Sequence, residues 1–263
     1  MSTDTDPEDR PTVAACQTAV TDLDPAANLA TLRERVAALP DGVDAALFPE
    51  QFLTGFVPDD RMAEAAVRTD GSELDAVREC AAEHDVAVLV GYVGVADGDL
   101  HNTVAYVRPD GGTTTYRKRH LWAGERKVLT PGEERVTVET PLGTTGLATC
   151  YDLNFVADSA AYTEERIDAL FVVGAWPAAH SENWRLLVRA RALDGVRWAV
   201  AAGRTGRREV ADAPTATYGG RSMVARPNGS VRASLADAER DLVVSVDPDE
   251  MAYHRKRVGI YRD

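Results

Sequence analysis

The stretch VAVLVGYV, residues 86–93, carries no charged side chain and no alternation of polar with apolar positions. A run this short and this apolar reads as a β-strand buried on both faces, in a sheet covered on both sides. The signature recurs outward in both directions. Residues 12–17 (TVAACQ), 44–48 (DAALF), 167–173 (IDALFVV) and 198–202 (WAVAA) read as further buried strands. Helical segments separate them. Asp24-Pro25 opens one, with Asp24 as cap and Pro25 in the first helical position, and Pro40-Asp41-Gly42 breaks it after about residue 39. Ser72 is read as the cap of a second, which runs to about residue 84, and residues 182–193 form a third. On the third, Trp184, Leu187, Val188 and Leu193 share one face and are expected in the core. Strands alternating with helices make this an α/β fold.

Hairpins occupy the middle and the end. Residues 102–107 and 113–118 flank Arg108-Pro109-Asp110-Gly111-Gly112. Residues 136–139 and 145–150 flank Pro141-Leu142-Gly143. Residues 222–225 and 231–235 flank Pro227-Asn228-Gly229, and 241–246 is the last strand. Val107-Arg108-Pro109-Asp110-Gly111 parallels Ala225-Arg226-Pro227-Asn228-Gly229. The shared phrase reads either as a trace of two similar halves or as common turn chemistry, and the sequence leaves both open.

Composition bounds the function. The 263 residues are 44% hydrophobic, enough for a sizeable core, and no linker or low-complexity break follows the first ten. Residues 1–10 are expected to be a flexible acidic N-terminus and 11–263 one domain. Forty-two acidic residues against 29 basic ones give a formal charge of −13, which argues against a nucleic-acid surface. Lysine occurs only at 118, 127 and 256, so arginine supplies 26 of the 29 cations. An acid-rich, lysine-poor surface fits a halophilic source, where salt screens self-repulsion. No apolar run is long enough to span a bilayer, and the N-terminus lacks a secretory pattern. Cys16, Cys80 and Cys150 are widely spaced with no Cys-x-x-Cys, which argues against a disulfide framework or structural zinc and for a reducing, cytoplasmic setting. No phosphate loop appears and the five histidines lack metal-ligand spacing, so neither cofactor nor metal is expected.

Buried sheets place reactive residues where the chain leaves a strand. Three such exits carry reactive groups: Glu50 after Leu47-Phe48-Pro49, Lys118 after Thr115-Tyr116-Arg117, and Cys150 after Leu147-Ala148-Thr149. A thiol is mostly protonated at neutral pH, so a nucleophilic cysteine needs a base to take its proton and a cation to steady the oxyanion formed on attack. The backbone N–H of Tyr151 is a further oxyanion donor candidate. Each residue alone has a plainer reading, as core thiol, turn carboxylate or edge lysine, and spacing by itself does not bring them together.

Longer segments carry a resemblance. Phe48-Pro49-Glu50-Gln51-Phe52-Leu53-Thr54-Gly55-Phe56, Tyr116-Arg117-Lys118-Arg119-His120-Leu121 and Gly146-Leu147-Ala148-Thr149-Cys150-Tyr151-Asp152 resemble, in order and separation, the glutamate, lysine and cysteine segments of the nitrilase superfamily, the carbon–nitrogen hydrolases. Trp176-Pro177, Trp184, Ala190-Arg191-Ala192 and Tyr218-x-Gly220-x-Ser222 match lesser signatures. The resemblance implies a four-layer α-β-β-α sandwich, usually dimeric through its helical layers. It implies Glu50 as general base, Lys118 as oxyanion-stabilising cation and Cys150 as nucleophile. It also implies a second glutamate that positions the lysine or the substrate, here Glu125, with Glu133 and Glu134 as the other candidates. Tyr151 and Trp176 would serve oxyanion or substrate binding, and His120 structure or the pocket wall.

Three stretches depart from the family pattern: Phe155-Val156-Ala157-Asp158, Leu193-Asp194-Gly195 and Gly203-Arg204-Thr205-Gly206. They bear on pocket and dimer contacts. Cys-Tyr-Asp resembles the amidase branches, so the expected function is a thiol amidohydrolase that cleaves a small linear amide or carbamoyl compound through a thioester and releases ammonia or an amine. Nitrile hydrolysis, acyl transfer on the same triad, and a catalytically idle scaffold subunit are the alternatives. The expected partners are a small-molecule amide and a second copy of the chain, in a homodimer or higher homo-oligomer, with no nucleic acid and no membrane.

Overall fold

The computed structural model describes residues 10–259, so the expected flexible N-terminus, Arg10 apart, lies outside the described residues. In chain order the elements are β1 (Thr12–Gln17), α1 (Pro25–Ala37), β2 (Ala45–Leu47), α2 (Met62–Ala65), α3 (Ser72–His84), β3 (Ala87–Ala96), β4 (Asp99–Val107) and β5 (Thr113–Arg117). There follow β6 (Thr137–Thr140), β7 (Gly143–Thr149), α4 (Val156–Glu164), β8 (Ala169–Gly174), α5 (Ser181–Gly195) and β9 (Trp198–Gly203). The chain then forms β10 (Thr205–Arg208), β11 (Ala216–Gly219), β12 (Met223–Ala225), β13 (Val231–Ser234), β14 (Arg240–Ser245) and α6 (Pro248–Val258).

Two six-stranded sheets, ordered β14-β1-β2-β3-β4-β5 and β13-β12-β9-β8-β7-β6, form the centre. Side-chain alternation shows why the strands are apolar throughout. Val13, Ala15, Leu47 and Leu89 of the first sheet face Leu147, Phe171, Val173 and Val200 of the second across one shared core. Ala14, Cys16, Ala46, Val88 and Val90 point the other way, beneath Leu32 and Val36 of α1 and Leu74 and Val77 of α3. On the opposite outer face Ala148, Leu170, Val172, Ala199 and Ala201 pack with Tyr162 of α4 and Trp184 and Val188 of α5. The central strands β1, β2, β3, β8 and β9 are buried on both faces, the outer strands β6, β13 and β14 are partly exposed, and the layers run α-β-β-α.

The two sheets repeat one pattern. β1, β2 and β3 are parallel, with antiparallel β14 on one side and the β4–β5 hairpin on the other. β7, β8 and β9 are parallel, with antiparallel β6 on one side and the β12–β13 hairpin on the other. The two Pro-[Asp/Asn]-Gly phrases therefore occupy equivalent turns. Each is closed by the same bonds: Arg108 N–H to Gly112 O and Gly111 N–H to Arg108 O in one, Arg226 N–H to Ser230 O and Gly229 N–H to Arg226 O in the other.

Local signals mostly hold, with instructive exceptions. Asp24 Oδ1 accepts the Ala27 N–H at 3.0 Å and Pro25 opens α1. Ser72, however, is already helical. Gly71 is the cap, and the Ser72 hydroxyl donates to Glu73 instead. Leu193 is 53% exposed while Trp184 and Val188 are buried. Five residues past Val188, at 3.6 per turn, rotate it about 140° off that face. The sequence reading also missed α4, α6 and the β10–β11 hairpin. Helix α6 repeats the Asp-Pro start of α1: Asp247 accepts the Asp249 N–H at 3.0 Å and Pro248 begins the helix. Among the described residues no helix is long and apolar enough to cross a membrane.

Candidate active site

The ends of β2, β5 and β7 converge. Lys118 lies just past β5, and its backbone N–H extends the ladder to Asn102 O at 2.8 Å. Its ammonium donates to Glu50 Oε1 at 2.7 Å and to Glu125 Oε2 at 2.8 Å. Glu50, beyond β2, also accepts the backbone N–H of Ala175 at 2.7 Å, from the exit of β8 in the other sheet. Glu125 sits on a single 3-10 turn, Ala123–Lys127, and accepts the Trp122 N–H at 2.7 Å. All three side chains are almost completely buried. The resemblance pointed to Glu125 as the second glutamate, ahead of Glu133 and Glu134. Glu133 and Glu134 are exposed, and only Glu125 reaches the lysine.

Two amide side chains complete the cluster and were not foreseen. Asn102, fully buried on β4, donates through Nδ2 to both Glu50 Oε1 at 2.8 Å and Glu125 Oε1 at 2.6 Å. Gln51 donates to Glu125 Oε1 at 3.1 Å. Two carboxylates crowded around one ammonium repel each other, and the amide hydrogens between them offset that repulsion. The only sequence signal was that Asn102, with Thr103, opens a strand that is apolar from 104 to 107.

Cys150 opens the 3-10 turn Cys150–Asn154 directly after β7, with φ +49°. A left-handed backbone costs a side-chain-bearing residue about 1–2 kcal/mol, so something must hold it. Asp152 supplies part of the restraint. Its Oδ2 accepts the Thr149 N–H at 2.9 Å and the Tyr116 hydroxyl at 2.7 Å, and its Oδ1 accepts the His120 N–H at 3.0 Å. One carboxylate thereby staples the cysteine turn to the lysine segment.

The electrostatics follow from burial and neighbours. Burial pushes the Cys150 thiol up, and the charge of Glu50 and a hydrogen bond to it push it further, against the pull of Lys118. The thiol therefore rests protonated, with Glu50 beside it. Burial alone would lower the Lys118 pKa, but Glu50 and Glu125 raise it well above its ordinary value, so the ammonium keeps its charge. Burial raises Asp152 to about 6 against the opposing pull of Lys118 and its own hydrogen bonds.

This cluster forms the floor of an open cleft of about 990 Å³. Tyr151 and Trp176, both half-buried, line it with Trp122 and Tyr218. His120 does not line it. Its ring stacks on Phe155 at 3.5 Å between centroids and bonds Asp158 at 2.8 Å. Cys16 of β1 and Cys80 of α3 are buried in the outer core between the first sheet and its helices. Among the described residues no group of three His, Cys, Asp or Glu side chains is arranged to hold a metal ion.

Comparison with known proteins places this geometry. The carbon–nitrogen hydrolase family model matches residues 12–256. An (R)-stereoselective amidase from Pseudomonas sp. is 30% identical over 247 residues, covering 94% of this chain and 89% of that protein. The omega-amidase of Homo sapiens is 29% identical over 211 residues, covering 76% and 75%. Among solved structures, a CN-hydrolase superfamily protein from Xanthomonas campestris superposes with a TM-score of 0.85 at 23% identity, covering 95% of each chain. An amidase from Nesterenkonia sp. gives a TM-score of 0.80 at 23% identity, again covering 95% of each.

Proposed function

The chain belongs to the carbon–nitrogen hydrolase family, enzymes for C–N bonds other than peptide bonds, and from that premise we propose that it hydrolyses a carboxylic amide through a thioester on Cys150. The observation that carries the reading is the shared ammonium: Lys118 bonded to Glu50 and Glu125 at 2.7 and 2.8 Å, with the Cys150 thiol against Glu50 at the floor of a cleft.

The steps follow from the groups present. The Cys150 sulfur attacks the amide carbon as its proton passes to Glu50, because a thiol held protonated by its surroundings reacts only as it loses that proton. The carbonyl electron pair moves onto oxygen, where the Lys118 ammonium and the Tyr151 N–H stabilise it. Collapse of this intermediate breaks the C–N bond. The leaving nitrogen takes the proton from Glu50 and departs as ammonia or an amine, leaving the thioester. Water then attacks the thioester carbon while Glu50 takes its proton. The second tetrahedral intermediate expels the sulfur, which recovers a proton from Glu50, and the carboxylic acid leaves. Glu125, held by Asn102, Gln51 and the Trp122 N–H, keeps the ammonium in place throughout. The amidase-named relatives favour an amide over a nitrile as substrate. A second copy of the chain would pair through the outer helices, where Val156, Leu186 and Leu193 are exposed.

The test is acid quenching during amide turnover followed by peptide mass spectrometry. The expected result is an acyl adduct on the Cys150 peptide and none on those of Cys16 or Cys80, with ammonia release lost in Cys150→Ala. Ammonia release that survives Cys150→Ala would overturn the reading.

A further inference from the structure

The walls of the cleft name the substrate class more narrowly. This step rests on the amidase reading above. A volume of about 990 Å³ lies at the upper end of the ~300–1,000 Å³ typical of sites for drug-sized ligands, far larger than a two- or three-carbon amide needs. Beyond the polar floor the walls are built largely from Phe56, Pro58, Trp122, Trp176, Pro214 and Tyr218.

The buried cations near this surface are already engaged within the protein. Arg208 lines the cleft, but its Nε and Nη2 donate to Pro214 O at 3.0 and 2.8 Å and its Nη1 to Phe56 O at 2.8 Å. Each nitrogen of the guanidinium is thus already bonded to a backbone carbonyl that holds the wall together. Arg204, fully buried, is paired with Asp22 at 2.7 Å, and the Tyr218 ring covers it with 4.1 Å between guanidinium carbon and ring centre. Lys118 is held between its two glutamates. Lys127 and His180 also line the cleft but stand exposed to solvent. A carboxylate on the acyl chain would therefore lose water against aromatic and proline surface without meeting a buried cation that is not already engaged, whereas an apolar chain would bury its surface there.

We infer that this cleft selects uncharged amides with a bulky apolar acyl group and discriminates against the monoamides of dicarboxylic acids. Selection comes from area buried on Trp122, Trp176 and Tyr218, and rejection from the absence of a buried cation free to pair with a second carboxylate.

The experiment measures ammonia release for two series: neutral primary amides lengthening from acetamide through hexanamide to 3-phenylpropanamide, and dicarboxylic monoamides matched in length. The expected result is a kcat/KM that climbs about fourfold for each methylene buried, the factor equivalent to ~0.8 kcal/mol. Each monoamide should fall about tenfold or more below its neutral match, as expected when a charge loses water without a partner. A flat neutral series, or a monoamide preferred over its neutral match, would overturn the inference while leaving the amidase reading intact. So would a loss of tenfold or more in monoamide kcat/KM on Lys127→Ala, since that would make Lys127 the carboxylate's partner. Absence of ammonia release from every amide, with no adduct on Cys150, would instead defeat the amidase reading and this inference with it.

Discussion

Replacing Asp152 by asparagine should change stability in a way that depends on pH, and the structure fixes the sign. The carboxyl is buried, and burial raises it from its ordinary 3.8 to about 6. The folded protein therefore binds this proton more tightly than the unfolded chain. The contribution is neutral below about pH 4, and stability is lost as pH rises through the window to about 6. At ~1.36 kcal/mol per pH unit, ionised Asp152 costs about 1.6 kcal/mol at about pH 5 and about 3 kcal/mol at about pH 7. Asparagine removes that cost but presents an NH₂ to one of the donors now met by a carboxylate oxygen, His120 N–H on one side or Thr149 N–H and Tyr116 OH on the other. An unmet buried donor costs about 1–3 kcal/mol at either pH. The pH-independent part cancels in a double difference. Asp152→Asn, compared with the parent protein, should gain about 1.4 kcal/mol between about pH 5 and about pH 7. Urea unfolding of both proteins at both pH values measures it. A stability difference that stays flat with pH, or slopes the other way, would refute the argument that this carboxyl titrates high.

Four further outcomes follow. Glu125→Gln should leave the fold intact and lower kcat about 10²-fold or more with little change in KM, because it takes one of two carboxylates from the ammonium poised over the reacting atoms; steady-state kinetics on one amide checks this. Asp22→Ala should destabilise by about 3–5 kcal/mol by stranding the buried Arg204 guanidinium, and the double change with Arg204→Leu should recover part of the loss, read by urea midpoints. Phe171→Ala, fully buried between the sheets, should cost about 3–5 kcal/mol, read in the same way. Screening of a formal charge of −13 should raise Tm as salt climbs from about 0.1 M to about 2 M, followed by calorimetry, and a Tm that falls instead would count against surface self-repulsion.

Much of the cleft floor is legible in order along the chain. Glu50, Lys118 and Cys150 each stand just past a strand, and such exits are local features that sequence displays. Their neighbours are not local. Asn102 lies 52 residues from Glu50 and 23 from Glu125, yet one amide nitrogen bonds both. The backbone N–H that holds Glu50 comes from Ala175, 125 residues away in the other sheet. Asp152 stood inside a quoted motif, but its work as a staple between two segments depends on Tyr116 and His120 arriving beside it. The β10–β11 hairpin, which carries Tyr218 into the cleft wall, lacks the apolar run that betrays a central strand.

By itself the sequence determined the alternation of buried strands with helices, the turns that close the hairpins and the order of the reactive residues, because each of these rests on hydrogen-bonding periods and turn chemistry within a few positions. It took the packed fold to settle how Lys118 is shared between Glu50 and Glu125, how the cysteine turn is held in a left-handed conformation, and which arginines near the cleft are already bonded within the protein. Those outcomes depend on groups tens to hundreds of residues apart competing for the same few buried hydrogen bonds, and that competition is settled only when the two sheets pack together.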